Sequence, residues 1–127
     1  MNEVEMRKRV LVVDDDDSVV DSLIMALEDN YEIVSVRNGR DALEVLEGKG
    51  ADAVLLDLMM PVLDGPGFLH ECRTRRIQVP ILVITAGRNL ANRTRALGVN
   101  DFIQKPFELA VLEEKLARLT GGPTSDG

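Results

Sequence analysis

The chain has 127 residues, which suits one domain with a single hydrophobic core. Its net charge of −7 would repel a nucleic-acid backbone and an anionic membrane surface, so direct binding to either is not expected. Only 3% of the residues are aromatic, which leaves few side chains for stacking on bases or sugars and favours function through small polar groups.

Short apolar runs alternate with helical apolar patterns along the chain. The first half predicts a strand at 10–13, a helix with Val20, Leu23 and Leu27 on one face, a strand at 33–36 and a helix with Ala42, Leu43 and Leu46. The second half predicts a strand at 53–56, a helix with Phe68, Leu69 and Cys72, a strand at 81–84, a weak helix at 90–97, a weak strand at 102–103 and a helix with Leu109, Leu112, Leu116 and Leu119.

The strand-like runs are continuous instead of alternating, which indicates strands that are covered on both faces. Parallel strands need a covering connection, and five alternations of strand and helix supply one after each strand. The sequence therefore predicts an α/β fold: a (βα)5 doubly wound sandwich around a five-stranded parallel sheet.

The lone cysteine and the N-terminus bear on location. Cys72 has no cysteine partner in the chain, which favours a reducing compartment. The opening segment MNEVEMRKR leads straight into a strand without the apolar stretch of a signal sequence, and no stretch approaches the roughly 20 apolar residues of a membrane span. We expect a cytoplasmic chain without membrane contact.

Polar residues follow four of the predicted strands. Four consecutive aspartates at 14–17 follow the first strand, Asp57 follows the third, and Thr85 and Lys105 follow the fourth and fifth. Ligands of doubly wound sheets bind outside the carboxyl ends of the strands. Taken singly, each of these residues is typical of a helix cap, a turn or a charged surface; their joint placement is what predicts a site.

The acidic members of this group suggest a metal. If the first and third strands are neighbours, the carboxylates of Asp14, Asp15 and Asp57 converge, and like charges at short range disfavour ionisation. Mg2+ (or Mn2+) resolves that conflict, because it prefers oxygen ligands and retains several waters. The backbone carbonyl of Met59 is a candidate for a further ligand.

The predicted site could bind a phosphoryl group, because it combines carboxylates that hold a metal ion with an ammonium and a hydroxyl. Such a group needs positive charge and hydrogen-bond donors on its oxygens, which Lys105 and Thr85 could supply. A carboxylate oxygen would be the nucleophile. Asp57 is best placed for this, because it stands alone at the end of a central strand while Asp14 and Asp15 remain to hold the metal.

Four motifs in this order resemble the receiver domain of bacterial response regulators. They are VLVVDDDD at 10–17, VLLDLMMPVLDG at 54–65, ILVITAG at 81–87 and GVNDFIQKPF at 98–107. The resemblance covers residues 9–119 and implies a flavodoxin-like sheet with strand order 2-1-3-4-5. The residues after this range, 120–127, have the small and polar composition of a flexible tail or linker.

The resemblance implies a role for each site residue. Asp57 would accept the phosphoryl group, Asp15 would bind Mg2+ directly, and Asp14 would act mainly through a metal-bound water. Lys105 and Thr85 would bind the phosphoryl oxygens.

The resemblance also implies a switch. Ala86 would add a backbone N–H to the phosphoryl cradle, Phe102 would be the aromatic switch residue that responds to Thr85, and the Lys105–Pro106 peptide would be cis. The response would alter the face made by the fourth helix, fifth strand and fifth helix.

The partners implied are a sensor histidine kinase or phosphotransfer protein, and a downstream output protein or fused output domain; a homodimer is left open. The domain would be a signalling switch that catalyses only its own phosphorylation and dephosphorylation, and so not an enzyme with an external substrate.

Other functions are less well supported by the sequence. A phosphatase with an aspartyl nucleophile would need a second acid two residues later, where this chain has Met59. A receiver reduced to a binding module would lack a site residue, and none is missing. A nucleotide-binding fold would need a glycine-rich phosphate loop after the first strand, which is absent from the sequence.

Three further polar positions receive ordinary structural interpretations. Asp16 and Asp17 are predicted to be cap or loop acids, with Asp17 or Ser18 opening the first helix. His70 is expected at the surface of the third helix. Cys72 is expected to be a small core residue.

Overall fold

Five parallel strands form the central sheet of the computed structural model, which describes residues 7–58, 65–85, 95 and 98–122. They are β1 (Arg9–Val13), β2 (Glu32–Val36), β3 (Ala53–Leu56), β4 (Ile81–Thr85) and β5 (Asp101–Gln104). Neighbouring strands pair in parallel in the order β2-β1-β3-β4-β5. The predicted parallel sheet and its strand order are confirmed.

The described part of the chain contains four helices. They are α1 (Asp17–Leu27), α2 (Gly39–Glu47), α3 (Gly65–Thr74) and α4 (Leu109–Thr120). Helix α4 is the fifth helix of the sequence-based prediction, because the weak helical pattern at 90–97 lies outside the described residues except for residue 95. None of the described helices is long and apolar enough to cross a membrane.

The sheet separates two hydrophobic clusters. Leu11 and Val13 of β1 pack with buried side chains of α2 and α3, whereas Val10 and Val12 pack with those of α1 and α4. Side chains alternate between the two faces of a strand, so a strand covered by helices on both faces needs an apolar residue at every position. This explains the continuous apolar runs, in which each fully buried side chain contributes roughly 1.5–3 kcal/mol.

The edge strand β2 departs from that pattern. All four residues of β3 are buried, but none of the five residues of β2 is fully buried. Val34 and Val36 are only partly covered. An edge strand has a strand neighbour on one side only, so the expected coverage of both faces is confirmed for the central strands and is wrong for β2.

The buried face of the last helix begins later than the sequence predicts. Leu109 is 46% exposed, although the periodic pattern places it with the buried residues. It is the first residue of α4 and lines a shallow groove with Val19 and Phe107. The fully buried positions of this face start one turn later, at Leu112 and Leu116.

Thr120, which the sequence assigns to the tail, is the buried last residue of α4. Its hydroxyl donates to the carbonyl of Leu116 at 2.9 Å, which satisfies a polar group that the helix would otherwise bury at a cost. Gly121 follows in the left-handed region, with φ 79°, a conformation that favours glycine after a helix. Residues 123–127 of the predicted tail lie outside the described residues.

Three consecutive basic residues before and at the start of β1 each reach the C-terminal end of a different helix. Arg7 donates to the carbonyl of Glu28 after α1 at 3.0 Å, and Lys8 donates to the carbonyl of Thr120 in α4 at 2.7 Å. Arg9 donates to the two carbonyls that follow the α2 cap, at 3.2 and 3.3 Å. The last carbonyls of a helix lack partners within the helix and carry partial negative charge, so cations there are stabilising.

We expect Lys8→Met to lower the free energy of unfolding by about 1 kcal/mol, because a charged hydrogen bond to a helix terminus is lost while the aliphatic stem is kept. Urea unfolding at neutral pH measures the change. Lys49→Met removes the same charge from an exposed side chain that makes no hydrogen bond within the described residues, and should change the stability by less than about 0.5 kcal/mol. Equal losses in the two variants would show that net charge, and not the Thr120 contact, is responsible.

Candidate functional site

Three carboxylates meet at the carboxyl edge of the sheet. Asp14 and Asp15 follow β1, Asp57 follows β3, and one carboxylate oxygen from each lies within 4.8 Å of the others. The backbone holds them in place: the N–H of Asp57 donates to the carbonyl of Val13 at 3.0 Å, and the N–H of Asp14 donates to that of Val36 at 3.1 Å. The structure therefore brings together the three acids that the sequence predicts to converge.

The ammonium group of Lys105 accompanies these acids. The Nζ atom of Lys105 lies 3.5 Å from Oδ2 of Asp14 and 3.9 Å from Oδ2 of Asp57. Lys105 follows β5, and its peptide bond to Pro106 is cis, as the sequence resemblance implies. The predicted convergence of a lysine with the acids is thus seen in the described part of the site.

Burial makes the excess of negative charge at this site costly. Asp14 and Asp57 are only 3% and 8% exposed, and burial of a carboxylate is unfavourable unless hydrogen bonds or opposite charge compensate it. Among the described residues, the Lys105 ammonium beside the three carboxylates compensates only part of that charge. Hard carboxylate oxygens so close together are the ligands that Mg2+ and similar cations prefer, so the donor set fits such an ion.

The start of α1 is tied to the same cluster. The N–H of Asp16 donates to Oδ1 of Asp14 at 2.9 Å. Its own carboxylate caps the helix, accepting from the hydroxyl of Ser18 at 2.7 Å and from the N–H groups of Ser18 and Val19 at 3.0 and 3.4 Å. The hydrogen bond from the Ser18 side chain is the main reason that the pKa of Asp16 is lowered, followed by the two backbone bonds. Of the cap and loop roles that the sequence left open for Asp16 and Asp17, Asp16 takes the cap, and the helix begins at Asp17 instead of Ser18.

The other predicted site residues lie on β4 and β5 or outside the described residues. Thr85 ends β4 and pairs in register with Gln104 of β5, so its backbone reaches the same edge. Met59 and Ala86 lie outside the described residues. Phe102 is in β5 and is partly buried against the cluster on the α2 and α3 side of the sheet.

The predicted surface position of His70 and the predicted core position of Cys72 are both confirmed. His70 is exposed on α3. Cys72 is buried in the core, and burial raises the pKa of its thiol to about 11. A thiol that stays protonated is a poor nucleophile and metal ligand, so burial and the raised pKa favour a structural role for Cys72 at neutral pH.

Arg37 is a neighbour of the site that the sequence reasoning missed. It follows β2, donates to the backbone carbonyl of Asp15 at 3.3 Å and forms an ion pair with Asp17. A single arginine after an edge strand has no distinctive pattern. The usable signal was the strand order, since β2 beside β1 brings the residue after β2 to the loop after β1.

Comparison with known proteins agrees with this arrangement. The chain matches the response regulator receiver domain family over residues 10–117, and it belongs to that family. It is 42% identical over 117 residues to the response regulator MprA of Mycolicibacterium vanbaalenii and 40% identical over the same length to MprA of Mycobacterium bovis. These alignments cover 90% of this chain and 49% and 50% of the relatives, so the chain spans about half the length of the curated relatives it matches.

Solved receiver structures share the fold. The receiver domain of the Francisella response regulator 1452 aligns with a TM-score of 0.83 and 27% identity, over 90% of this chain and 97% of that one. The chemotaxis protein CheY4 of Vibrio cholerae aligns with a TM-score of 0.79 and 29% identity, over 89% and 98%. The chain is therefore a receiver domain of the two-component response-regulator type, a class of signalling switches.

The lowered pKa of Asp16 gives a prediction for the pH dependence of stability. A group whose pKa is lower in the folded state stabilises the fold above its unfolded pKa, here near 3.8, and loses that contribution as the pH falls through the folded value. The stability difference between the native chain and Asp16→Ala should therefore be full at pH 7 and shrink below about pH 4. Chemical unfolding at a series of pH values measures this difference.

Asp16→Asn is the matched control for the charge. Asparagine also caps helices but does not titrate, so its advantage over alanine should persist at low pH. A difference between the native chain and Asp16→Ala that does not change with pH would show that the carboxylate charge adds nothing to the cap.

Proposed function

We propose that the chain accepts a phosphoryl group on Asp57 from the phosphohistidine of a sensor histidine kinase or phosphotransfer protein. The observation that carries the proposal is the placement of three carboxylates within 4.8 Å, with the Lys105 ammonium beside two of them. A carboxylate oxygen of Asp57 would form a bond to phosphorus as the bond from phosphorus to the imidazole nitrogen breaks. The imidazole leaves as the neutral base after taking up a proton, and the phosphoryl group remains as an acyl phosphate.

The exposure and the position of the two buried acids support Asp57 over Asp14 as the nucleophile. Oδ1 of Asp14 accepts from the N–H of Asp16 at 2.9 Å, which ties Asp14 to the start of α1. Asp57 is farther from Lys105, at 3.9 Å, and is the more exposed of the two buried acids. Its position after the central strand β3 also matches the phosphoacceptor position implied by the family motif.

The same acids are proposed to hold a divalent cation. Asp15 would bind Mg2+ or Mn2+ directly, with Asp57, the backbone carbonyl of Met59 and, through a water, Asp14. When bound, such an ion neutralises negative charge on the attacking carboxylate and on the phosphoryl oxygens. The close approach of the three carboxylates supports this assignment.

Lys105 is proposed to bind a phosphoryl oxygen once Asp57 is modified. Its ammonium already lies between Asp14 and Asp57, so it can reach a group attached to Asp57 without leaving Asp14. The hydroxyl of Thr85 and the N–H of Ala86 would bind the other oxygens. Charged donors placed before the reaction stabilise charge that develops on those oxygens.

An apolar groove beside the site supports docking of the phosphodonor protein there. It runs between α1 and the segment before α4, and its lining includes Leu23, Phe107 and Leu109. Lys105 lines both this groove and the acid cluster, so the groove is continuous with the site. A protein that fills the groove would bring its phosphohistidine to the carboxyl edge of β3.

The signal is proposed to leave the domain through Thr85, Phe102 and the face that lies on the β5 side of the sheet. Phosphorylation would draw in Thr85 and allow Phe102 to turn inward, which alters the face made by residues 90–97, β5 and α4. Phe102 lies in β5 and is only partly buried against the core, which supports its assignment as the switch residue. The receiver unit would run from residue 9 to the buried last residue of α4, Thr120, and the tail or linker would follow it.

The recipient of the signal would be a separate output protein or a fused output domain. The MprA relatives are about twice as long as this chain, which supports a further domain in such regulators. A homodimer through the output face is compatible with this scheme. The only reactions catalysed would be phosphorylation and dephosphorylation of the chain itself.

Asp57→Asn should abolish phosphorylation by acetyl phosphate, because the nucleophilic oxygen is replaced while the shape of the side chain is kept. Intact-protein mass spectrometry after incubation with Mg2+ measures the added phosphoryl group. Asp29→Asn makes the same chemical change in the exposed turn after α1, at the opposite edge of the sheet, and should leave labelling unchanged. Undiminished labelling of Asp57→Asn would refute the assignment.

Two substitutions should separate metal binding from phosphoryl binding. Asp15→Ala should weaken Mg2+ binding at least about tenfold, since even partners outside the first ligand shell are worth that much. Lys105→Ala removes a neighbouring positive charge, so Mg2+ binding should be kept or strengthened while phosphorylation slows by on the order of 10²-fold. Isothermal titration calorimetry with Mg2+ and the phosphorylation rate measure the two effects. Loss of Mg2+ binding in Lys105→Ala would contradict this division of roles.

A further inference from the structure

Arg37 contacts the loop that carries Asp15 in two places. One guanidinium nitrogen donates to the backbone carbonyl of Asp15 at 3.3 Å. The other forms the ion pair with the carboxylate of Asp17, the first residue of α1. The side chain therefore links the middle of the loop to the start of the helix.

The position of Arg37 follows from strand pairing. Strands β1 and β2 are parallel neighbours, with Val13 in register with Val36. The N–H of Asp14 extends this pairing by donating to the carbonyl of Val36. The residue after Val36 must therefore lie beside the loop that leaves β1, and an arginine is long enough to reach both Asp15 and Asp17.

We propose that Arg37 is a positioning residue that fixes the 14–17 loop and thereby strengthens binding of a divalent cation by Asp15. This inference rests on the proposed function, because it assumes that Asp15 is a metal ligand. The guanidinium touches only the backbone of Asp15, so it would act on the direction of the carboxylate and not as a ligand or catalytic group. Its planar fork suits two simultaneous acceptors better than an ammonium would.

Two effects of Arg37 on cation affinity have opposite signs. Its positive charge near the acid cluster repels an incoming cation, so charge alone predicts that removing it strengthens Mg2+ binding. Loss of a positioning contact predicts the reverse, because a loose loop must be ordered when the metal binds. The sign of the change therefore distinguishes positioning from simple electrostatics.

Isothermal titration calorimetry with Mg2+ on the native chain and on Arg37→Ala tests the proposal. The side chain of Arg37 is 63% exposed, and exposed ion pairs contribute little free energy. We therefore expect the Mg2+ dissociation constant of Arg37→Ala to rise only roughly two- to fivefold. Arg40→Ala is the matched control: it removes the same charge from an exposed position of α2 that makes no hydrogen bond or ion pair among the described residues. It should leave the affinity unchanged or slightly increased.

A second measurement separates positioning from general destabilisation. In Arg37→Ala, the Mg2+ concentration that gives half the maximal phosphorylation rate should rise by the same two- to fivefold, while the rate at saturating Mg2+ stays unchanged. Arg37→Lys keeps the charge but offers a single donor group, and its Mg2+ dissociation constant should lie between those of the native chain and Arg37→Ala.

The outcomes distinguish this inference from the proposed function. If the native chain binds Mg2+ and Arg37→Ala binds it equally well or more tightly, Arg37 does not position Asp15. If the native chain binds no Mg2+ and Asp57 takes up no phosphoryl group, the proposed function itself is wrong.

Discussion

The parallel pairing of β1 with β3 is the constraint on which the site depends. Val13 is in register with Leu56, so the next residues on each strand, Asp14 and Asp57, leave the sheet side by side. The N–H of Asp57 also donates to the carbonyl of Val13, which fixes the two strand ends relative to each other. A shift in register of one residue would turn these carboxylates toward the hydrophobic helices on one face. The buried apolar residues of both strands prevent that shift, so core packing is what holds the acids together.

The stability of the core also allows the site to be electrostatically unfavourable. Nearly every residue of β1 and β3 is buried, whereas the described residues at the end of these strands include three carboxylates beside the ammonium of Lys105. Such a cluster costs free energy in the unliganded fold, because like charges at short range repel and burial weakens their hydration. The same excess negative charge makes the binding of a divalent cation more favourable. A substitution that removed one of the three carboxylates would reduce their repulsion, which would stabilise the fold and weaken metal binding.

Particular residues show what the sequence could and could not predict. The convergence of Asp14, Asp15 and Asp57 follows from apolar runs that end in acids, because the carboxyl ends of parallel strands share one edge. Arg37 could be placed in this way only through the strand order, and Lys8 could not be found at all. Lys8 reaches Thr120, 112 positions away in the chain, and a lone cation in the sequence gives no sign of its acceptor. Leu109 fitted the periodicity of α4 but lies beyond the covered part of its face, since periodicity gives a direction and not the extent of the neighbouring surface.

The two edges of the sheet differ in charge for one reason, which is the alternation of strands with helices. Because each helix runs antiparallel to the strands it covers, helix N-termini lie at the carboxyl edge and C-termini at the amino edge. The positive end of α1 therefore lies beside the acid cluster, where Asp16 accepts from its first N–H groups. The negative ends of α1, α2 and α4 lie at the other edge, where Arg7 and Lys8 donate to carbonyls at the ends of α1 and α4 and Arg9 donates to the two carbonyls that follow the α2 cap. The carboxyl edge is consequently the side of the sheet on which the helix ends favour negatively charged groups. The cations of the amino edge stabilise the scaffold from the other side, where they do not compete with a metal for the acids.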